Sequence, residues 1–276
     1  MPKKSLELAL NIAGGGAFGM FLRWLEDQLA FNELGLAEKS AFHILLLLYL
    51  LAVGLTFRKF CLRYEKEGLC VPDEIGKAFR AEELLYVIAR RAIGALMALS
   101  GVLVLMTTET DKYPGMLRLL GILAILSGLF FMLLHAELHR LRPGVMLMCV
   151  LSLPQLLMFA VWLIYTYRTN AINSVPWGYM MEVATVSMGM VAFFRLAGYA
   201  FGAPNWKRCL FDCCFTAVMF LMSLADERYL ALQLVFFSGA LMLIYCAWVM
   251  VKNLEEAPEP AQPQEETQPD DGFEHL

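Results

Sequence analysis

Eight apolar runs recur along the chain, near residues 6–25, 41–57, 85–107, 116–136, 145–166, 178–201, 209–225 and 229–251, each ended by a polar stretch. An α-helix needs about 20 mostly apolar residues to cross the hydrocarbon core of a bilayer. While it crosses, its backbone N–H and C=O groups must be satisfied within the protein. The pattern therefore predicts an all-α, polytopic bundle of about eight transmembrane spans. The first run is rich in glycine and the seventh is short, so these two carry the weakest signal. Composition agrees: 59% of the 276 residues are hydrophobic and 17% charged, against roughly 45–50% and 25% in soluble domains.

The loops set an expected orientation. If the N-terminus lies inside, the cytoplasmic segments hold thirteen Lys and Arg, whereas the outer loops hold only Lys39, Lys112, Arg168 and Arg228. Cytoplasmic loops carry the excess of basic residues, which predicts N-in and C-in. Lys3 and Lys4 before an apolar stretch are also how a signal peptide begins. Arg23, Trp24, Glu26 and Asp27 follow it in place of a small-x-small cleavage site, so the run is expected to remain as a span.

Residues 1–252 are read as the helix bundle, with a cytoplasmic loop at 58–83. Residues 253–276 carry eight acidic side chains, four prolines and no Lys or Arg, a composition that predicts a disordered acidic cytoplasmic tail. Pro72-Asp73-Glu74 reads as a helix start. That helix is expected to run into the third span, with Arg90 and Arg91 anchoring it among the headgroups. Pro154-Gln155 predicts a kink in the fifth span.

Ionisable residues inside spans are costly and mark function by default. Glu182 lies a few residues inside the sixth span, at a depth matching Arg23 on the first. With Gln155 they form the candidate set for a substrate or ion. Arg195 and Asp212 flank the 202–208 turn symmetrically, so neighbouring antiparallel helices should pair them as a structural ion pair. His135 and His139 share one helix face, as do Cys209 and Cys213, and these four are the candidate metal ligands. The 17 methionines are spread over most spans and read as core filler.

Enzyme signatures are missing: there is no Walker A loop and no G-x-S-x-G elbow, and residues 135–139 read H-x-E-x-H, where a zinc protease needs H-E-x-x-H. Glu82-Glu83 puts Val87 where an EExxxR intramembrane protease box requires arginine. No cofactor is implied.

Gly15 and Gly19 form a small-xxx-small pair that allows close helix approach. The stretch Gly15-Gly16-Ala17-Phe18-Gly19-Met20-Phe21-Leu22-Arg23 resembles the GGxxGxxxR start of the small dual-topology fluoride channels. The further phenylalanine and threonine motif of those channels has no counterpart here, and the segment is read as packing chemistry. The glycine-rich span, Arg23, Phe31-Asn32-Glu33-Leu34-Gly35-Leu36 and the apolar second span together resemble multi-pass bacterial membrane proteins of unassigned function. That resemblance implies a bacterial cytoplasmic membrane and no particular activity.

The expectation is a small-solute or ion transporter or channel with Glu182 and Arg23 near an outward cavity. The alternative is a membrane scaffold or sensor that recruits a cytosolic partner through the acidic tail and the basic inner loop. The lipid bilayer is the expected partner, nucleic acid is not, and self-association is open. A transporter predicts Glu182 at a cavity; a scaffold predicts it enclosed in an ion pair.

Overall fold

The computed structural model describes residues 2–30, 40–133, 145–170 and 177–256. In chain order they form α1 (Pro2–Leu29), α2 (Ser40–Lys66), β1 (Leu69–Cys70), α3 (Ile75–Ala78), α4 (Leu84–Thr107) and α5 (Pro114–Leu133). Next come α6 (Val145–Asn170), α7 (Trp177–Ala200), α8 (Trp206–Met222), α9 (Leu230–Lys252) and β2 (Glu255–Glu256). Short 3-10 turns, Thr108–Thr110 and Ser223–Ala225, extend α4 and α8. Among the described residues seven helices, α1, α2, α4, α5, α7, α8 and α9, are long and apolar enough to cross a membrane, so this is an integral membrane protein built as an all-α bundle. The remaining long helix, α6, is 26 residues long and covers the fifth predicted run.

Helix and apolar run differ in length at two places. α1 continues to Leu29 and α2 to Lys66, so the expected loop at 58–83 begins with more than two further turns of helix. Its charged residues face outward along that extension, where Arg63 pairs with Glu67 and Lys207 with Glu65. Second, the helix expected from Pro72 onward does not run into the third span. It is the single turn α3, closed at Phe79 (φ −110°, ψ 24°), and α4 starts afresh after Glu83 in extended conformation. The break is stabilised from α9: Asn253 Nδ2 donates to the carbonyls of Ala78 (3.0 Å) and Arg80 (2.9 Å). β2 then pairs antiparallel with β1, Leu69 opposite Glu256 and Cys70 opposite Glu255.

The seventh run, weak by length, forms the centre of the bundle. In α8, 67% of the best apolar window is buried inside the protein, against 17% in α2. A helix surrounded by protein can carry Asp212, Thr216 and three cysteines, while α2 presents Ile44, Leu45, Leu48, Leu51 and Leu55 outward. α1 packs on α8 through its glycines: a Cβ at Gly15 would stand 3.5 Å from Val218, and one at Gly16 would collide with Leu221. Tyr49 of α2 donates its hydroxyl to the Gly15 carbonyl.

The closest helix pair is α4 with α5. A Cβ at Gly94 would meet the Gly128 carbonyl at 2.7 Å, and one at Gly101 the Gly121 carbonyl at 2.6 Å. The seven-residue spacing on both helices brings these glycines into register two turns apart, so backbone meets backbone. Between α6, α7, α8 and α9 lies an aromatic core of Phe159, Trp162, Phe193, Phe220 and Phe236. Phe220 fits against Gly189 and Gly239, where side chains would leave it no room.

Candidate functional site

The aromatic core forms one side of a chain of charges at the end of the bundle where α1, α6 and α8 terminate. Trp162 is fully buried and its ring lies 4.4 Å from that of Phe236. One helical turn on, Thr166 shares its face. Trp162 Nε1–H and the Thr166 hydroxyl both donate to Glu182 Oε1, each at 2.8 Å. The carboxylate is thus held from α6 by two neutral donors, and Arg228 Nε donates to its other oxygen at 3.3 Å.

Arg228 sits on the α8–α9 connection with its guanidinium 4.8 Å from the Phe236 ring centroid. Each of its nitrogens is engaged. Nη1 donates to the Ser223 carbonyl at 2.8 Å, and Nη2 to Asp226 Oδ2 at 2.6 Å. Asp226 is the hub of the chain, because its other oxygen accepts from Arg23 Nε at 2.6 Å. Arg23 Nη1 in turn donates to Glu26, one turn away on α1, and Glu26 accepts a hydrogen bond from His43 Nδ1 of α2. The order His43–Glu26–Arg23–Asp226–Arg228–Glu182 runs through α2, α1, the α8–α9 connection and α7. Thr185 and Ser223 hydroxyls, 3.0 Å apart, tie α7 to the same turn. Burial is deep: the side chains of Arg23 and Glu26 are 4% and 3% exposed.

Beside Glu182 opens a cavity of about 440 Å³ lined by Tyr165, Thr169, Glu182, Glu227, Arg228, Tyr229 and Leu232. Tyr165 donates its hydroxyl to Asp111 Oδ2 at 2.7 Å, and Asp111 also accepts from the Tyr113 backbone N–H at 2.8 Å. The turn between α4 and α5 thus holds this wall of the cavity. A volume of this order lies within the range of small-molecule sites.

The sequence candidates are divided by the structure. Glu182 lines the cavity and is ion-paired, so both expected features coexist. Arg23 does not line it and stands one link behind, through Asp226. Gln155 is elsewhere: it is buried on α6, roughly 10 Å along the axis from Trp162 at 1.5 Å per residue, and its Nε2 donates to the Ser127 carbonyl of α5 at 3.3 Å. Its remaining amide oxygen is buried without a partner, which fits an interior packing position beside Pro154. Arg195 Nε and Asp212 Oδ2 lie 3.4 Å apart across α7 and α8.

Cys209 and Cys213 are buried free thiols. Among the described residues no group of three or more His, Cys, Asp or Glu is disposed to hold a metal. His135 and His139 lie outside the described residues, as does the chain from 257 onward.

Asp226, Glu26, His43, Trp162 and Thr166 were not among the sequence candidates. Local signals existed for some: Arg23 and Glu26 are three apart, Trp162 and Thr166 four apart, and Asp226 stands two before Arg228. Comparison with known proteins finds no matching family model, curated protein or solved structure.

Proposed function

We propose that the protein carries a small solute or ion across the membrane and that the cavity at Glu182 is where the solute binds. One observation carries the reading: a carboxylate anchored by Trp162, Thr166 and Arg228 forms the inner wall of a cavity of about 440 Å³ at one end of the bundle. A carboxylate buried only to stabilise the fold would be satisfied and walled in, since each of its unpaired lone pairs costs free energy in an apolar setting. Glu182 instead lines the cavity, with one oxygen held by two donors and the other by a single longer bond to Arg228. Polar groups facing a cavity between helices are how membrane proteins give a hydrophilic solute a foothold at tolerable cost.

The test is flux in proteoliposomes across a panel of inorganic ions and small organic solutes. The expected result is a rate above that of protein-free vesicles for one class of solute, lost in Glu182→Gln. No flux above the protein-free rate for any member, with the wild type folded and inserted, would overturn it.

A further inference from the structure

We infer that the cavity takes a small organic cation of the ammonium class. The inference rests on the cavity being a binding site and adds the chemistry of its occupant. Three carboxylates (Glu26, Asp226, Glu182) are linked to two guanidiniums (Arg23, Arg228). The linked carboxylates thus outnumber the linked guanidiniums by one. Glu227 at the rim of the cavity adds a second carboxylate.

The one guanidinium in the lining is already neutralised by carboxylates and has three of its five N–H groups in use. All three nitrogens of Arg228 already donate, to Glu182, Ser223 and Asp226, and one face of its plane lies over Phe236. An incoming carboxylate or phosphate would have to share Arg228 with Asp226 and Glu182 and meet their like charge. A cation meets the reverse situation, because Glu182 Oε2 has a single bond at 3.3 Å and its other oxygen has two at 2.8 Å.

The rest of the lining selects among cations. Tyr165, Tyr229 and Leu232 supply aromatic and aliphatic surface, and a desolvated ammonium is attracted to the face of an aromatic ring. A small metal ion instead asks for a cage of about six oxygen ligands, and the described residues offer no cluster of three such side chains. Alkylated ammonium fits both the charge and the walls.

The probe is tetramethylammonium chloride, titrated against the purified full-length protein by calorimetry at constant ionic strength. Tert-butanol serves as the neutral analogue and sodium methanesulfonate as the anionic one. Saturable binding of tetramethylammonium alone is expected. Tyr229→Ala should weaken it by about two- to fivefold, the value of a partly exposed cation–π contact. Glu182→Gln should weaken it by about tenfold or more, as for loss of a charged partner. Because Glu182→Gln also removes a partner of Arg228, Tyr229→Ala and Glu227→Gln, both at exposed positions, are the variants that keep the test decisive if it fails to fold.

Binding of methanesulfonate or tert-butanol in place of the cation would overturn the ammonium assignment. So would tetramethylammonium binding that neither Tyr229→Ala nor Glu227→Gln alters. If flux appears for another solute class while tetramethylammonium does not bind, only the assignment falls and the transport reading stands. If tetramethylammonium binds as expected and no solute crosses, the transport reading falls and the site stands.

Discussion

The two ends of the bundle use similar residues to opposite effect. At the α2–α3 end, Lys4 pairs with Glu67, Lys207 with Glu65, Lys77 with Glu74 and Lys252 with Glu83. These pairs face solvent, typified by Lys207 and Glu65 at 44% and 46% side-chain exposure. Exposed pairs of this kind contribute little to stability, because water and salt screen them. Lys252 also caps Tyr86, its ammonium 4.0 Å from the ring centroid, in a helix-end anchor. At the other end the charges are buried, share partners and end at a cavity. Desolvating them is expensive, so their retention beside an opening carries information that the count of ion pairs does not.

This contrast is broken most severely by removing the hub. Asp226→Asn removes the carboxylate that Arg23 and Arg228 share, leaving Arg23 with Glu26 and Arg228 with Glu182. Unfolding in detergent should show a loss of about 3 kcal/mol, the lower end of what breaking a buried pair costs. Thr166→Val keeps the shape of the α6 face and removes one donor to Glu182. It should cost about 1.5–3 kcal/mol, the range for a hydrogen bond to a charged group, and equilibrium unfolding of the variant checks it. Asp212→Asn probes an intermediate case, since Arg195 is about one-third exposed. Its loss should stay near about 1 kcal/mol, at the top of the surface range, as judged by the same unfolding assay.

The smallest effect lies at the exposed end and concerns pH. Hydrogen bonds from Lys4 and Arg63 hold the Glu67 carboxyl below the usual carboxylate range. A depressed folded value means that the contribution is present above the ordinary carboxylate pKa of about 4.3 and is lost as pH falls through the lowered one. Carboxyl-resolved NMR titration should therefore give a low midpoint for Glu67, moving up towards the ordinary range in Lys4→Ala, with the remaining depression due to Arg63.

Much of the fold was legible because helix length in a membrane is written as apolar run length. Two departures have a common cause. α2 continues to Lys66 and α1 to Leu29 because a helix can leave the apolar layer without ending, and only its hydropathy changes there. The α3–α4 break depends on Asn253, some 170 positions away, and no local pattern near Pro72 announces it. The Arg195–Asp212 neighbourhood could be placed by arithmetic, since a short turn relates two antiparallel helices by reflection.

The site was only half visible for the same reason. Glu182 and Arg23 stand out as charges in apolar runs, but the residue that joins Arg23 to Arg228, and so to Glu182, is Asp226 in a loop, where an acidic side chain is unremarked. Trp162 and Thr166 lie in an apolar run with no charge to mark them until α7 brings a carboxylate to them. Gln155 was singled out for its polarity within a span, yet its partner is a carbonyl of α5 and not the cavity. Gly94, Gly101, Gly121 and Gly128 carried a readable seven-residue spacing on adjacent runs that marks the closest helix contact.

The central claim is that Glu182 faces a cavity open to solvent within a buried chain of charges. Thr169, on the cavity wall one turn from Tyr165, offers the most direct test. Thr169→Cys would be exposed in proteoliposomes to a membrane-impermeant methanethiosulfonate reagent, with the unsubstituted protein as background. The account predicts labelling above background at a rate typical of a water-accessible thiol. A rate indistinguishable from that of the buried native cysteines would contradict it.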